Sequence, residues 1–301
     1  MELRQLKTFQ TVAATLSFTR SAELLDYAQS SVTAQIRSLE DELGVQLFDR
    51  LGRHVALTEA GIRLLDYAEK MLSLADEAAL AVTDSAEPAG QLIIAAPETL
   101  SGYRLPPLLK QFRAKFPRVQ LILRSLSVGE TLNCLSDGRV DVAVLLTDPP
   151  PEAYGIIVQP LIEERFMLLA APEHRLANGF GVQPDDLHEE TFLLTEAGCT
   201  YRAAFENRLR AAGVQPSITM EFGSVEAIKQ CVMANLGITL LPEIAVCSEV
   251  NQGRLVSLPW FEPNFHMFTR LLWHKDKWLS PALKEFIHLS EQILVPTPEP
   301  S

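Results

Sequence analysis

Apolar residues recur three and four positions apart through the start of the chain, the spacing that places them on one side of an α-helix. A first helix carries one apolar stripe, formed by Leu3, Leu6, Phe9, Ala13 and Leu16. A short second helix is predicted over residues 19–25, with Thr19 as its N-cap and with Ala22 and Leu25 facing inward. The next helix begins only a few residues later, so the pattern predicts two helices joined by a tight turn.

A third helix is predicted over residues 29–43, where Val32, Ile36, Leu39 and Leu43 recur at helical spacing. The side of the helix opposite this stripe is polar, and its residues are expected to face outward. These outward residues are Gln29, Ser30, Ser31, Thr33, Gln35 and Arg37. Short hydrogen-bonding groups and a guanidinium bind base edges and phosphates. The pattern therefore indicates a helix-turn-helix that presents one helix to the major groove of DNA.

A glycine turn between two short extended arms, residues 49–57, predicts a hairpin wing that carries Arg50 and Arg53. The alternative for this segment is a solvated loop. Helical periodicity then runs from Thr58, the expected N-cap, to about residue 85. Apolar and small residues in this long helix form a coiled-coil seam, made of Leu65, Ala68, Leu72, Ala75, Ala79 and Val82. We expect the seam to pair with a second copy, and packing onto its own chain is the alternative.

After a break at residues 87–90 the pattern changes to apolar extended runs that alternate with helices, which is typical of an α/β fold. Strands are predicted at 91–96, 119–123, 140–146, 192–195, 218–222, 238–241 and 266–273, with helices at 105–116, 128–137, 201–212, 225–235 and 281–294. They divide into two similar lobes with a cleft between them. We therefore predict three parts: a mainly α winged helix-turn-helix (1–58), a linker helix (59–87) and a two-lobed α/β domain (88–301). Lobe I covers about 88–160 and 266–301, and lobe II about 161–265.

Composition and charge narrow the class of protein. The net charge of the chain is −12, but residues 1–58 contain six cations and seven anions and are nearly neutral. Because the negative charge lies in the rest of the chain, it does not exclude DNA binding by residues 1–58. No apolar run approaches the ~20 residues that cross a bilayer, and no export signal opens the chain, so a cytoplasmic protein without a membrane partner is expected. The four cysteines and six histidines lack the spacing of metal sites, and no nucleophile elbow or phosphate-binding glycine loop appears. We expect neither catalysis nor a metal or cofactor.

Several motifs together resemble the LysR-type transcriptional regulators: residues 17–25 (SFTRSAELL), 29–40 (QSSVTAQIRSLE), 42–50 (ELGVQLFDR), 57–61 (LTEAG) and 237–242 (GITLLP). The resemblance implies a winged helix-turn-helix joined by a linker helix to a two-lobed domain like that of periplasmic solute-binding proteins. It implies as partners double-stranded DNA with a pseudo-palindromic site, a small-molecule effector, further copies of the chain as dimer or tetramer, and RNA polymerase.

Carried over by position, the resemblance implies that Gln29, Ser30, Thr33 and Arg37 face DNA, with Arg50 and Arg53 reaching backbone or minor groove. The alternative for Arg37 is a salt bridge with Glu40 or Asp41. Family members often have serine and proline where this chain has Ala28 and Ser30. Because alanine cannot cap a helix, we expect the cap to shift to Gln29 or Ser30.

Small molecules bind open α/β units at the carboxyl ends of strands, where the next helix begins. Three such points supply the predicted effector-binding residues, which are Thr99, Leu100, Ser101, Thr200, Tyr201, Arg202, Ser224 and Val225. Arg202 adds a cation, so a small anion such as a carboxylate is the predicted effector. Two alternatives remain: the hydroxyls of Thr99, Thr200 and Ser224 only cap their helices, or Glu98 and Glu226 select a ligand with a cationic part.

Other classes of function also fit parts of the sequence. One member of the family senses oxidants through a cysteine pair in its second lobe, and Cys199 keeps a redox-responsive regulator as an alternative, although the next cysteine, Cys231, lies in another helix. A regulator that needs no ligand is a further alternative. A transport binding protein would share the two lobes but would have no use for residues 1–60.

Overall fold

A computed structural model describes residues 1–51, 54–82, 88–178, 181–214, 218–260 and 265–295. The chain divides into two compact units, residues 1–85 with 137–139 and residues 86–136 with 140–301. The first unit contains α1 (Leu3–Thr15), α2 (Phe18–Leu25), α3 (Gln29–Leu43), β1 (Phe48–Leu51), β2 (His54–Leu57) and α4 (Glu59–Val82). Its core is built from the predicted apolar stripes, with Leu6, Phe9, Val32 and Ile36 at most 1% exposed. The helix-turn-helix and the antiparallel β1–β2 hairpin are confirmed.

The helix caps of this unit differ from those predicted. Ser17, and not Thr19, is the N-cap of α2, because its hydroxyl accepts the N–H of Arg20 at 3.3 Å. The N-cap of α3 is Ala28, whose side chain makes no bond, so the predicted shift of the cap to Gln29 or Ser30 is wrong. The hydroxyl of Thr58 accepts the N–H of Gly61 at 3.0 Å, which confirms Thr58 as the cap of α4.

The last buried residue of α3 is not the one predicted. Leu43 is 40% exposed, whereas Glu40 is 4% exposed. The Glu40 carboxylate accepts the N–H groups of Leu47 and Phe48 at 2.8 and 3.3 Å, so a buried charge is satisfied by the backbone that leads into β1. This contact fixes the end of α3 to the start of the hairpin.

The first half of the predicted seam on α4 faces its own chain, which agrees with the alternative interpretation. Ala68 is fully buried in the core of the first unit, and Leu65 and Leu72 pack against that core. Large apolar side chains are exposed elsewhere on the helix, with Ile62 at 57%, Tyr67 at 62% and Leu74 at 65%.

The second unit has two lobes, as predicted. In chain order it contains β3 (Gly90–Ala95), α5 (Pro106–Lys115), β4 (Val119–Arg124), α6 (Val128–Ser136), β5 (Val142–Thr147), β6 (Ile156–Glu164), β7 (Phe166–Ala170), β8 (Thr191–Thr195), α7 (Thr200–Ala211), β9 (Ile218–Phe222), α8 (Val225–Met233), β10 (Thr239–Pro242), α9 (Glu243–Asn251), β11 (Val256–Leu258), β12 (Met267–His274) and α10 (Pro281–Leu294). Lobe I has the sheet β4-β3-β5-β12-β6, in which β3 runs parallel to β4 and β5. In lobe II, β8 pairs in parallel with β9, and β7 pairs with β10 and β11.

Among the described α-helices and strands of this unit, the sequence prediction missed β6, β7, α9 and β11. The strand β6 lies at the edge of its sheet and contains Pro160, a residue tolerated there because an edge strand does not need every N–H for pairing. Glu164 still pairs with Met267, so the sheet of lobe I continues past the predicted limit at residue 160. Among the described residues, no helix has both the length and the apolar character to cross a membrane.

Candidate functional site

One side of α3 forms a shallow concave surface, which we call the α3 surface. It is lined by Gln29, Ser30, Thr33, Ala34, Arg37, Ser38 and Asp41. Ala34, Ser38 and Asp41 were not among the predicted contacts, although their helical spacing from Ser30 places them on the same face. Ser31 is exposed but does not line this surface.

The amino-terminal end of α3 is open. The first N–H groups bonded within the helix are those of Ser31 and Val32, which donate to the Ala28 carbonyl at 2.9 and 3.2 Å. Within the described ranges, no acceptor is found for the N–H groups of Gln29 and Ser30. An uncapped helix N-terminus presents N–H donors and a positive dipole end, which suits an anionic phosphate oxygen.

Arg37 is exposed, and its guanidinium makes no hydrogen bond or ion pair with any residue in the described part of the chain. The predicted alternative, an ion pair with Glu40 or Asp41, does not form, because Glu40 is turned inward to the backbone of residues 47 and 48. The Thr33 hydroxyl donates to the Gln29 carbonyl at 3.0 Å.

The remaining predicted DNA contacts are Gln35 on α3 and two arginines of the hairpin, Arg50 and Arg53. Gln35 does not face outward as predicted: its Oε1 accepts a hydrogen bond from the buried Thr8 hydroxyl at 2.8 Å, so it lies between α1 and α3. Arg50 lies in β1, opposite Val55. The Arg50 side chain and the whole of Arg53 fall outside the described residues, so their roles stay predictions.

A cavity of about 350 Å³ lies between the lobes of the second unit, at the ends of β3, β8 and β9. Five predicted effector-binding residues line it, namely Thr99, Thr200, Tyr201, Ser224 and Val225. Leu100 and Ser101 do not: Leu100 is 1% exposed in the core, and Ser101 lies within a π-helical turn, Leu100–Arg104. Cavity residues from lobe I that the prediction missed include Leu126, Val128 and Leu145.

The capping alternative fails for the three hydroxyls at the strand ends. Thr99 and Ser224 occupy N-cap positions, but neither side chain makes the capping hydrogen bond. The Thr200 hydroxyl instead donates to the carbonyl of Leu146 on β5. That bond joins lobe II to lobe I at the edge of the cavity.

Tyr201 has a buried polar group without a partner. The residue is 4% exposed, and among the described residues none forms a hydrogen bond with its hydroxyl. The Thr195 hydroxyl is likewise buried and unsatisfied. Burial raises the pKa of Tyr201, and interactions with the Thr99 and Thr195 hydroxyls oppose this rise without cancelling it, so the Tyr201 hydroxyl keeps its proton and remains a donor. The Tyr201 and Thr195 hydroxyls are two buried polar groups in the wall of one cavity, placed to bond to a polar ligand.

Arg202 does not line the cavity, so the predicted ligand-binding cation is wrong. Its guanidinium donates to Glu206 at 2.8 Å, to Glu221 at 2.7 Å and to the Thr195 carbonyl. Burial lowers the pKa of Arg202, but the hydrogen bonds to Glu206 and Glu221 outweigh this and raise it above the usual value. The cation is neutralised by its own lobe.

Carboxylates supply the charge in the cavity wall: Glu98, Glu130 and Glu196 line it, and no lysine, arginine or histidine of the described residues does. The Glu130 carboxylate accepts the N–H and hydroxyl of Ser127 at 3.0 and 2.6 Å, which lowers its pKa. Desolvation raises the pKa of the Glu98 carboxyl, against a hydrogen bond from the Val225 N–H and attraction by Lys229, and repulsion by Glu226 adds to the rise. The exposed Glu98 carboxylate thus faces the start of α8 from lobe I.

A buried cation lies behind this wall. The Lys229 ammonium, on α8, contacts Glu226 at 2.8 Å and Glu249 of α9 at 3.0 Å. It also lies 5.1 Å from the ring centroid of Tyr103, a residue of lobe I. The sequence signal for this cluster is a lysine on the apolar side of a helix, next to Ile228.

The cysteines do not support the redox alternative. Cys134, Cys199, Cys231 and Cys247 form no disulfide bonds with one another. Burial raises the pKa of the Cys199 thiol, and the thiolate is the form that reacts with oxidants. Among the described residues no cluster of three or more histidine, cysteine or acidic side chains is arranged to hold a metal ion.

Family models and known proteins match both units. Residues 3–62 match the model described as bacterial regulatory helix-turn-helix protein, lysR family, and residues 85–293 match the LysR substrate binding domain. The uncharacterized HTH-type transcriptional regulator YwqM of Bacillus subtilis is 45% identical over 293 residues, which covers 97% of this chain and 99% of that protein.

Solved structures match over nearly the whole chain. A full-length OxyR variant from Pseudomonas aeruginosa has a TM-score of 0.71 at 25% identity and covers 97% of this chain and 94% of that chain. Full-length CbnR in complex with its target DNA has a TM-score of 0.73 at 24% identity and covers 97% and 99%. At this identity, CbnR is evidence for the fold alone.

Proposed function

This chain belongs to the LysR family of bacterial DNA-binding transcriptional regulators, and we propose that its α3 surface reads the operator while a small molecule between the lobes sets its activity. The observation that carries the DNA-binding part is the combination, on one helix, of an exposed polar face, an open N-terminus and an arginine without a partner. Such groups bind phosphates and base edges.

Within this interface each group has a distinct role. The open N–H groups of Gln29 and Ser30 bind a phosphate and set the depth of α3 in the major groove. Arg37, two turns further along, contacts a base edge or a second phosphate. By position in the hairpin, Arg50 and Arg53 reach the backbone or the minor groove. Gln35 contributes by holding α3 against α1 through Thr8.

The exposed apolar residues of α4 support pairing with a second copy of the chain. Ile62, Tyr67 and Leu74 are more than half exposed, and large apolar side chains favour burial against a partner. Two α3 surfaces held by paired α4 helices fit a pseudo-palindromic site with half-sites a whole number of helical turns apart. Assembly to a tetramer and contact with RNA polymerase at the promoter complete the proposal, and both place its action in the cytoplasm.

The cavity supports control by an effector. An effector changes the lobes only if it binds one arrangement better than another. One hydrogen bond, from the Thr200 hydroxyl to the Leu146 carbonyl, crosses the cavity edge, and the Glu98 carboxylate of lobe I faces the Val225 N–H of lobe II. The Tyr201 hydroxyl, which has no hydrogen-bond partner among the described residues, offers such a ligand a buried donor.

The proposal is tested by incubating the full chain with sheared genomic DNA of its source organism, recovering the bound fragments and footprinting them. We expect two protected half-sites, separated by a whole number of helical turns, at physiological salt. The affinity should fall steeply as salt rises, because phosphate contacts release counterions. Recovery of fragments without any shared sequence or footprint would contradict the proposed function.

A further inference from the structure

We propose that the cavity between the lobes takes a small amino acid with an apolar side chain: its ammonium group lies against Glu98 and Glu196, and its carboxylate lies against Tyr201 and the open ends of α7 and α8. This inference rests on the proposed function, because it names the chemical class of the effector. It replaces the simple anion that the sequence predicts.

The ammonium position follows from the charges in the wall. Three carboxylates line the cavity, and within the described part of the chain no basic side chain lines it. Glu130 is already satisfied by Ser127, whereas Glu98 has one backbone N–H, and the Glu226 carboxylate and the Lys229 ammonium act on it with opposite signs. A ligand cation would compensate this charge, and a ligand with only negative groups would be repelled by it.

The carboxylate position follows from unsatisfied donors. Tyr201 is only 4% exposed, and its hydroxyl has no hydrogen-bond partner among the described residues, so a ligand oxygen that accepts this bond is stabilised. The N-cap residues of the two adjacent helices, Cys199 of α7 and Ser224 of α8, make no capping hydrogen bond with their own side chains, and at the start of α8 the Val225 N–H faces Glu98. Backbone N–H groups at these ends, together with the tyrosine hydroxyl, are suited to an anionic oxygen pair.

The size and the remaining walls select a short apolar side chain. A volume of about 350 Å³ is near the lower end of the ~300–1,000 Å³ range of ligand pockets. Leu126, Val128, Leu145 and Phe222 supply apolar surface for a side chain that extends away from the carbon that carries both charged groups. A nucleotide or sugar phosphate carries the wrong charge for the glutamates.

The first experiment measures ligand binding to the full chain by thermal shift and calorimetry. The probes are the common amino acids and, as a matched series, leucine, 3-methylbutylamine and 4-methylpentanoate, which share one side chain but differ in their charged groups. We expect at least one apolar amino acid to bind and its amine and acid counterparts to bind at least about ten-fold more weakly, the loss for one charge-assisted contact. Equal binding of an amine or acid counterpart, or no binding by any amino acid, overturns the inference.

Variants then locate the two ends of the ligand. Glu98→Gln and Tyr201→Phe should each weaken binding of the amino acid by about ten-fold. Glu98→Gln should leave the affinity for 4-methylpentanoate unchanged or improved, because only a repulsive charge is lost. Glu173→Gln is the matched control: it makes the same chemical change at an exposed position that does not line the cavity, and binding should be unaltered. Wild-type affinity in both cavity variants overturns the assignment.

Operator binding separates this inference from the proposed function. A chain that footprints DNA but binds only an acid, an amine or a neutral compound keeps the proposed function and disproves the amino acid. A chain that binds leucine or a related amino acid but footprints no DNA disproves the proposed operator-reading role while the cavity assignment stands. Thermal unfolding of each variant without ligand shows whether it is folded before its affinity is compared.

Discussion

Arg37 on α3 and Arg202 on α7 have the same side chain, but their surroundings are opposite. Arg37 has no partner within the described residues, whereas Arg202 is bound by Glu206, Glu221 and the Thr195 carbonyl. The difference lies in the neighbouring carboxylates: Glu40 next to Arg37 is used inside the domain, and those next to Arg202 are turned toward it. A guanidinium therefore becomes available to a ligand only where the fold uses the nearby acids for something else.

The largest effect is expected on stability, from substituting Glu40, the acid near Arg37 that bonds to the backbone and not to the arginine. Glu40→Ala strands the N–H groups of Leu47 and Phe48 and should lower the free energy of unfolding of the first unit by about 2–4 kcal/mol. Denaturant unfolding, followed by circular dichroism, measures the change. Asp41→Ala, next in the chain but exposed, is the control and should change stability by less than about 0.5 kcal/mol. A Glu40 variant as stable as this control would show that the two N–H bonds contribute little.

A smaller effect, confined to DNA, is expected for Arg37. Arg37→Ala removes an exposed side chain without internal bonds, so the unfolding temperature should stay the same. Affinity for the operator should fall by about 1–3 kcal/mol, roughly ten- to hundred-fold. Fluorescence anisotropy with a labelled operator at physiological salt measures this loss. Arg113→Ala, at an exposed position of α5, is the matched control, and an equal effect of both changes would remove Arg37 from the interface.

The smallest effect on ligand binding is expected for Arg202. Arg202→Ala removes a residue that does not line the cavity, so the affinity for an amino acid should change by less than about three-fold. Stability should fall by about 1 kcal/mol, because the Thr195 carbonyl loses its donor. A loss of affinity as large as that of Tyr201→Phe, measured by calorimetry, would return Arg202 to the binding site.

Local patterns explain how much of the fold the sequence predicts. The bounds of α3 and β9 agree with the predicted 29–43 and 218–222, because helical and strand periodicity are properties of neighbouring residues. The cap of α2 is not fixed by the local pattern, because Ser17 and Thr19 are both good capping residues, and the structure uses Ser17. Strand β6 is missed because Pro160 is acceptable only at a sheet edge, and the order of strands is not a local property.

The candidate sites show the same limit. The ends of β3, β8 and β9 are recognisable in the sequence, and the cavity lies there. The direction in which Arg202 points cannot be recognised in the sequence, because its partner Glu221 lies on β9. The role of Glu98 cannot be recognised either, because it depends on α8, more than a hundred residues away. Charge type is thus predictable from the sequence, but its partner is a tertiary property.

The bond network around Glu40 has a mechanical consequence for gene regulation. One carboxylate connects the carboxyl end of α3 to the backbone that enters the hairpin, so a displacement of α3 is transmitted to the start of β1. The distance between α3 and the start of the hairpin is then the same in every complex with DNA. Under the proposed function, an effector would then change the distance between two α3 helices on the DNA, or the bend of the DNA, and not the base contacts that each helix makes.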